Sequence, residues 1–373
     1  MTNQTHKTIL PGQTIGIIGG GQLGRMMALA ARAMGYRIAV LDPTPDCPCG
    51  QIADIEITAS YNDLDAIQKL DHVSDVITYE FENIDYEALT YLEEQAYLPQ
   101  GSELLKISQH RFLEKQAISA LGIPVAPFQL IRNAQDLKNH LAYPQVLKTT
   151  TGGYDGKGQI VLRDKNDLQN ALILTEQKEC ILENLIPFTK EISVIVIRST
   201  SGEISVLPIA ENKHVHNILH QTIVPARISA ELEKKATEIG RTIADHFKLI
   251  GTLAIEMFVT EDNIYVNEIA PRPHNSGHFS MDACETGQFE QHIRAICGIP
   301  LGATTLKSPV VMVNILGEHM EDLNKYLPLL PNSKLHLYGK KEAVHKRKMG
   351  HINVLHDGLE QTFTKIDQTG IWK

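Results

Sequence analysis

A chain of 373 residues exceeds one small domain and predicts two or three. With 43% hydrophobic and 21% charged residues it has the composition of an ordinary soluble globular protein, and a formal charge of −9 argues against a dedicated nucleic-acid binder. Cys47, Cys49, Cys180, Cys284 and Cys297 have no metal-finger spacing, and their odd number excludes a complete disulfide framework. With no signal-like leader and no membrane-length apolar run, a reduced cytoplasmic setting is expected and no membrane partner.

The apolar run 14–18 predicts a strand that enters Gly19-Gly-Gly-Gln-Leu-Gly24, followed by a helix over 25–34 closed by Gly35. Strands over 36–41 and 76–79 follow, ending at Asp42 and at Glu80-Phe-Glu82. This alternation predicts a parallel α/β unit, 1–105. A helix over 108–121 stops at Gly122, ahead of Pro124 and Pro127. A compact α+β piece then runs to about 186, and strands are expected over 191–198 and 204–209. The period over 230–247 is helical, with Ser229 as N-cap. Strands over 251–259 and 264–269 form a hairpin, and the tail from 309 holds short strands over 310–316, 334–338 and 351–354.

Four constellations carry chemistry. Gly19-x-Gly21-x-x-Gly24 with Asp42 has the spacing of a dinucleotide fingerprint; equally, these glycines serve close strand–helix packing or another phosphate or ribose. The segment Lys148-Thr-Thr-Thr-Gly-Gly-Tyr-Asp-Gly-Lys-Gly-Gln159 reads as a strand delivering a lysine into a flexible, cationic polyphosphate cradle. It is not a Walker A loop, because Gly158 stands where that motif needs a hydroxyl. In the hairpin, Glu256 and Glu268 come close across the ladder with Asn267 beside them, an oxygen set suited to Mg²⁺ or Mn²⁺. Directly after it, Ala270-Pro-Arg-Pro-His-Asn-Ser-Gly-His278 is too proline-rich for a helical zinc spacing and reads as a loop gripping a small anion. The basic run Lys340-Lys341, Lys346-Arg347-Lys348 is either a solvated face or a phosphate grip. Lys106, Glu191, His214 and the strand end Glu183-Asn184-Leu185-Ile186 are lesser candidates, the last as an adenine-reading hinge. His214 and His216 are expected on one strand face.

Taken in order, these parts resemble the ATP-grasp superfamily over nearly the whole chain. The resemblance is strongest to the purine-pathway branch that carboxylates 5-aminoimidazole ribonucleotide, through Gly20-Gly-Gln-Leu-Gly-Arg-Met26, Thr78-Tyr-Glu-Phe-Glu82, Gly152-Gly-Tyr-Asp-Gly-Lys-Gly158 and the 270–278 loop. It implies α/β and α+β layers: a pre-grasp domain (1–105), an ATP-grasp domain (106–308) with a mobile lid (122–186), and a small β-rich C-terminal domain (309–373). It also implies a homodimer. ATP would be held by Lys106, Lys148, Gly153, Tyr154, Asp155, Gly156, Lys157, Gly158, Gln159, Glu183, Asn184, Leu185, Ile186, Glu191, His214 and Asn267, with Mg²⁺ on Glu256 and Glu268. Asp155, Arg272 and His274 are the implied catalytic groups. The ribonucleotide and bicarbonate would meet Gln22, Leu23, Glu80, Tyr154, Asn275, Ser276, Lys341, Arg347 and Lys348. Lys341 is preferred to Lys340 because Glu342 follows it. Alternatives are a formate-using glycinamide ribonucleotide transformylase, which has serines where this loop has Tyr154-Asp155, and, from other classes, a dinucleotide oxidoreductase or a non-catalytic nucleotide sensor.

Overall fold

The computed structural model describes residues 7–82, 84, 86–153, 158–356 and 358–372. The N-terminal unit is a parallel sheet of β1 (Thr14–Ile18), β2 (Arg37–Asp42), β3 (Ile55–Thr58) and β4 (Val76–Tyr79), in the order β3-β2-β1-β4. Helices α1 (Gln22–Ala33), α2 (Leu64–Val73) and α3 (Tyr86–Gln95) cross between or flank these strands. The predicted first helix therefore begins earlier, at Gln22, because the glycine turn already closes helical hydrogen bonds such as Arg25 N–H to Gly21 O (3.0 Å). Gly19 has φ +102°, and a Cβ there would stand 2.4 Å from Glu80 Cγ, so only glycine fits.

The single helix expected over 108–121 is two: α4 (Glu103–Ser108) and α5 (Arg111–Ala120). His110 between them is extended, and the Arg111 amide turns away to Thr150 O (2.9 Å). The lid sheet is antiparallel. It contains β5 (Phe128–Ile131), β6 (Gln145–Thr149), β7 (Gln159–Leu162) and β8 (Cys180–Asn184), ordered β5-β8-β6-β7, with α6 (Ala134–His140) and α7 (Leu168–Gln177) over one face.

The central sheet has nine strands. β9 (Lys190–Arg198) pairs with the short β10 (Ile204–Val206), and the hairpin β11 (Ala210–Val215) and β12 (Ile218–Val224) follows. α8 (Ala230–His246) is capped by Ser229, whose side chain accepts from the Leu232 amide, and it buries Ala236, Ile239 and Ile243 against the sheet. β13 (Gly251–Val259) and β14 (Ile264–Ala270) close the sheet's edge. After α9 (Ser280–Ala283) and α10 (Gln288–Ile296), β15 (Val310–Leu316) joins β12. Beyond α11 (Leu323–Tyr326), β16 (Ser333–Leu337) and β17 (Lys348–Leu355) extend the sheet to the order β14-β13-β9-β11-β12-β15-β17-β16, and α12 (Leu359–Thr369) ends the chain's helices. The C-terminal strands thus continue the central sheet rather than form a sheet of their own. α10 packs Phe289, Ile293 and Ile296 into the same core as Met26 and Met27 of α1, which ties the N-terminal unit to the central sheet. His214 lies in β11 but His216 occupies the β11–β12 turn with φ +51°, so the two imidazoles do not share a strand face.

Candidate active site

Between the lid sheet and the central sheet lies a cleft of about 620 Å³, a nucleotide-sized volume. It brings together residues far apart in the chain: Lys148 from β6, Glu183 to Ile186 from β8 and its exit, Glu191 from β9, His214 from β11, and Glu256 and Glu268 from the edge hairpin. Gly153, Gln159, Asn267, Arg272, His274, Asn275 and Lys348 also line it. Tyr154, Asp155, Gly156 and Lys157 lie outside the described residues.

The carboxylates follow from the register. Glu256 pairs directly with Glu268, and the next pair is Met257 with Val266, so Asn267 is an extra residue bulging from β14. Its Oδ1 is buried with no hydrogen-bond partner. Burial, and then the charge of Glu268, push Glu256 up from 4.5 to about 7. Two facing carboxylates and an unsatisfied amide oxygen form a site deficient in positive charge, and a hard divalent cation fits that donor set. Among the described residues no cluster of three or more His, Cys, Asp or Glu is preassembled for a metal.

Around them the charges pair. Lys148 Nζ donates to Glu183 Oε2 (2.9 Å). Burial alone would raise Glu183, yet Lys115 and Lys148 hold it below the usual carboxylate range. His214 forms an ion pair with Glu191; although burial opposes it, that bond and nearby Glu256 raise the imidazole above its ordinary value. Arg272 Nη2 meets Glu82 Oε1 (2.8 Å), joining the 270–278 loop to the N-terminal unit. His274 Nε2 is 3.7 Å from Glu256 Oε1, while its Nδ1 accepts from the Ser276 amide (3.3 Å) and meets Ser276 Oγ (2.8 Å). Burial, with Arg272 and Lys348 adding to it, keeps this imidazole neutral by holding it well below its ordinary value.

Several sequence candidates lie off the cleft lining or have partners within the chain. Lys106 is exposed on the outer side of α4 and does not line the cleft; Leu104 and Leu105 take the buried positions of that helix. Glu80 does not line the cleft; its two oxygens accept the Gly21 (2.5 Å) and Gly24 (2.6 Å) amides at the start of α1. Asp42 likewise accepts from the Gly20 amide (2.7 Å) and Tyr61 hydroxyl (2.7 Å). The amides that a dinucleotide would need are therefore filled by the chain's own carboxylates. Leu23 is buried in the core of the N-terminal unit, and Gln22 beside it is half-buried outside the cleft lining. Asn275 exchanges two amide hydrogen bonds with Asn314 (3.0 and 2.7 Å), and Ser276 is wholly buried beneath His274, so both side chains serve the loop itself. Gly158 has φ +73°, accepts from the Thr149 amide (2.8 Å) and does not line the cleft.

The two lysines of the basic pair point opposite ways. Lys341 turns outward to Asp46 (3.1 Å), whereas Lys340 turns inward, donates to Lys348 O (2.8 Å), and is lowered to about 8 by burial and then by Arg347. Arg347 is exposed and reaches Glu342 O (3.3 Å). Sequence reading passed over Arg111, Glu114 and Lys115 on α5. Arg111 donates to Thr149 O (2.9 Å) and Gly153 O (2.6 Å), bracing the glycine loop, and Glu114 accepts from the Ile269 amide (3.0 Å). The available signal was two charged residues, 114 and 115, on the buried side of a helix.

A cleft between an antiparallel lid and a larger sheet, with a lysine on one wall and paired carboxylates on the other, defines an ATP-grasp ligase. Residues 12–109 match the ribonucleotide synthetase preATP-grasp domain, 116–289 the ATP-grasp domain and 310–364 the phosphoribosylaminoimidazole carboxylase C-terminal domain. The N5-carboxyaminoimidazole ribonucleotide synthase of Bacillus subtilis (strain 168) is 55% identical over 366 residues, covering 97% of this chain and 96% of that protein. The chain belongs to the N5-carboxyaminoimidazole ribonucleotide synthase family. A crystal structure of such a synthetase as its ADP complex is 61% identical with a TM-score of 0.97, over 100% of this chain and 99% of that chain. The synthase of Aspergillus clavatus in complex with ADP and 5-aminoimidazole ribonucleotide is 30% identical with a TM-score of 0.90, over 96% of this chain and 98% of that chain. Among the described residues no helix is long and apolar enough to cross a membrane.

Proposed function

We propose that this ligase carries out ATP + HCO₃⁻ + 5-aminoimidazole ribonucleotide → ADP + phosphate + N5-carboxyaminoimidazole ribonucleotide, a step of purine biosynthesis. Kinship along the whole chain supports the substrates, and one observation carries the chemistry: Glu256 faces Glu268 in the cleft that also holds Lys148. We read the chain as segments 1–105, 106–308 (lid about 122–186) and 309–373, acting as a cytoplasmic homodimer. Bicarbonate is a poor electrophile, since its carbon is shielded by negative charge and hydroxide leaves badly. Phosphorylation gives carboxyphosphate, which has a competent leaving group; the amine then attacks the carboxyl carbon, or the CO₂ it releases, and phosphate departs.

Phosphoryl transfer needs positioning and charge neutralisation more than covalent chemistry. Glu256, Glu268 and Asn267 would hold Mg²⁺, which supplies charge neutralisation at the transferring phosphoryl oxygens. Lys148 brings a point charge to the same phosphates, in the cleft that Gly152, Gly153 and Gln159 also line. The chain turn Glu183 to Ile186 suits the adenine edge. Arg272 is the cation of the 270–278 loop that reaches the cleft, and it suits bicarbonate or carboxyphosphate once it releases Glu82. Neutral His274, with Nδ1 accepting from the Ser276 amide, carries its proton on Nε2 and suits donating that proton into the cleft. Asp155 and Tyr154 remain our candidates around the substrate amine. Lys348, with Lys340 now preferred to Lys341, suits the ribonucleotide phosphate.

ADP release measured against each substrate tests this reading. Turnover should require both 5-aminoimidazole ribonucleotide and bicarbonate, and product should carry label from ¹⁴C-bicarbonate. Equal turnover with glycinamide ribonucleotide and formate would overturn it.

A further inference from the structure

Lys115 sits on α5 with its side chain 2% exposed, an unusual place for an ammonium group. Its Nζ donates to Val266 O (3.2 Å) and stands 3.7 Å from Glu183 Oε2, the same oxygen that accepts from Lys148 at 2.9 Å. Glu183 is itself 3% exposed, and its Oε1 has no hydrogen-bond partner. One buried carboxylate oxygen therefore serves two lysines. The two differ in access: Lys148 is 15% exposed and lines the cleft, while Lys115 does not line it. Lys115 cannot follow a ligand, because Val266 of β14 holds it just before Asn267 and Glu268.

We propose that Lys115 is a positioning residue for the nucleotide: it keeps Glu183 compensated when Lys148 turns from that carboxylate to a phosphate. A lone Lys148–Glu183 pair would resist this, since removing one partner of a buried pair strands the other charge. With Lys115 anchored on the same oxygen, Lys148 changes partners without leaving a bare carboxylate. Burial alone would raise Glu183; the charge of Lys115, with the charge and hydrogen bond of Lys148, holds it below the usual carboxylate range. The proposal rests on the nucleotide-binding part of the function above.

Calorimetry with Mg-ADP tests it and needs neither ribonucleotide nor bicarbonate, so a failure of the carboxylation reading would be seen separately, in turnover. Lys115→Met should weaken Mg-ADP binding on the order of 30-fold. It should raise the KM for ATP while leaving that for the ribonucleotide unchanged, a split that general loosening would not give. In a Glu183→Gln background the compensation is no longer needed, so Lys115→Met should cause no further loss. A folded Lys115→Met protein with wild-type Mg-ADP affinity would overturn the proposal. So would a Lys115→Met/Glu183→Gln protein that binds more weakly than Glu183→Gln alone, a comparison that holds even where Lys115→Met by itself does not fold.

Discussion

Glu256 is the residue at which stability and function pull apart most clearly. Burial and Glu268 raise it from 4.5 to about 7, so the folded chain favours its protonated form. Its contribution is therefore most favourable below about pH 4.5 and is lost as pH rises through about 7. Without divalent ions, Glu256→Gln should be more stable than wild type at pH 8, by about 3 kcal/mol, and nearly equal at pH 4.5. Urea unfolding at the two pH values measures the difference. Adding Mg²⁺ should stabilise wild type and not the variant, and the variant should lose turnover. A sequence reader could reach this pair, because strand period and hairpin length put both carboxylates on one ladder. The bulge at Asn267 was not legible, since it depends on how α5 and Pro124 grip the edge strand from outside: Val266 N–H goes to Pro124 O (2.8 Å) and its carbonyl to Lys115.

At the scale of elements, the glycine turn and α1 show a motif whose shape is legible in the sequence and whose filled amides are not. Gly19, Gly21 and Gly24 do build a strand–turn–helix with converging amides. What the spacing could not reveal is that Glu80, 56 residues beyond Gly24, already occupies them. A carboxylate at a helix N-terminus completes orphan donors and complements the helix dipole. Glu80→Ala should consequently cost about 2 kcal/mol of stability while leaving the ribonucleotide KM unchanged. Denaturant midpoints and steady-state kinetics on the same preparation check both halves; a raised KM at unchanged stability would return Glu80 to the substrate. The lysine pair at 340 and 341 taught the same lesson. Neighbours in sequence turn opposite ways, and only tertiary packing says which is inside. Elements whose amphipathic period is long and capped, such as α8, were legible almost to the residue. The single helix expected over 108–121 was not, because the break at His110 is imposed by the Arg111 amide reaching Thr150 in the lid.

For the whole molecule, the joint between the N-terminal unit and the central sheet is polar and buried. His292 of α10 is fully buried, with Nδ1 accepting from the Thr252 amide (3.1 Å) and Nε2 at 2.9 Å from Thr78 Oγ1, which in turn donates to Gln100. The Thr252 bond fixes the neutral tautomer, with the proton on Nε2, so a second proton has nowhere favourable to go. Burial lowers His292 from 6.5 to about 3, and burial also holds His278 and His351 well below 6.5. A group depressed in the folded state contributes stability that is present above its unfolded value and lost as pH falls toward its folded value. Between pH 6.5 and about 3, His292 should thus steepen the loss of stability by about 1.4 kcal/mol per pH unit, with His278 and His351 acting in the same direction. Buried carboxylates raised above their ordinary value, Glu80, Glu82, Glu114 and Glu256, oppose them over part of that range, so the contribution of His292 is read from a variant rather than from the net slope. His292→Gln, which can still accept from the Thr252 amide, should be less stable at pH 7.5 yet show a shallower decline between pH 6.5 and 5. Urea midpoints across that window decide it; parallel slopes for variant and wild type would remove His292 from the acid response.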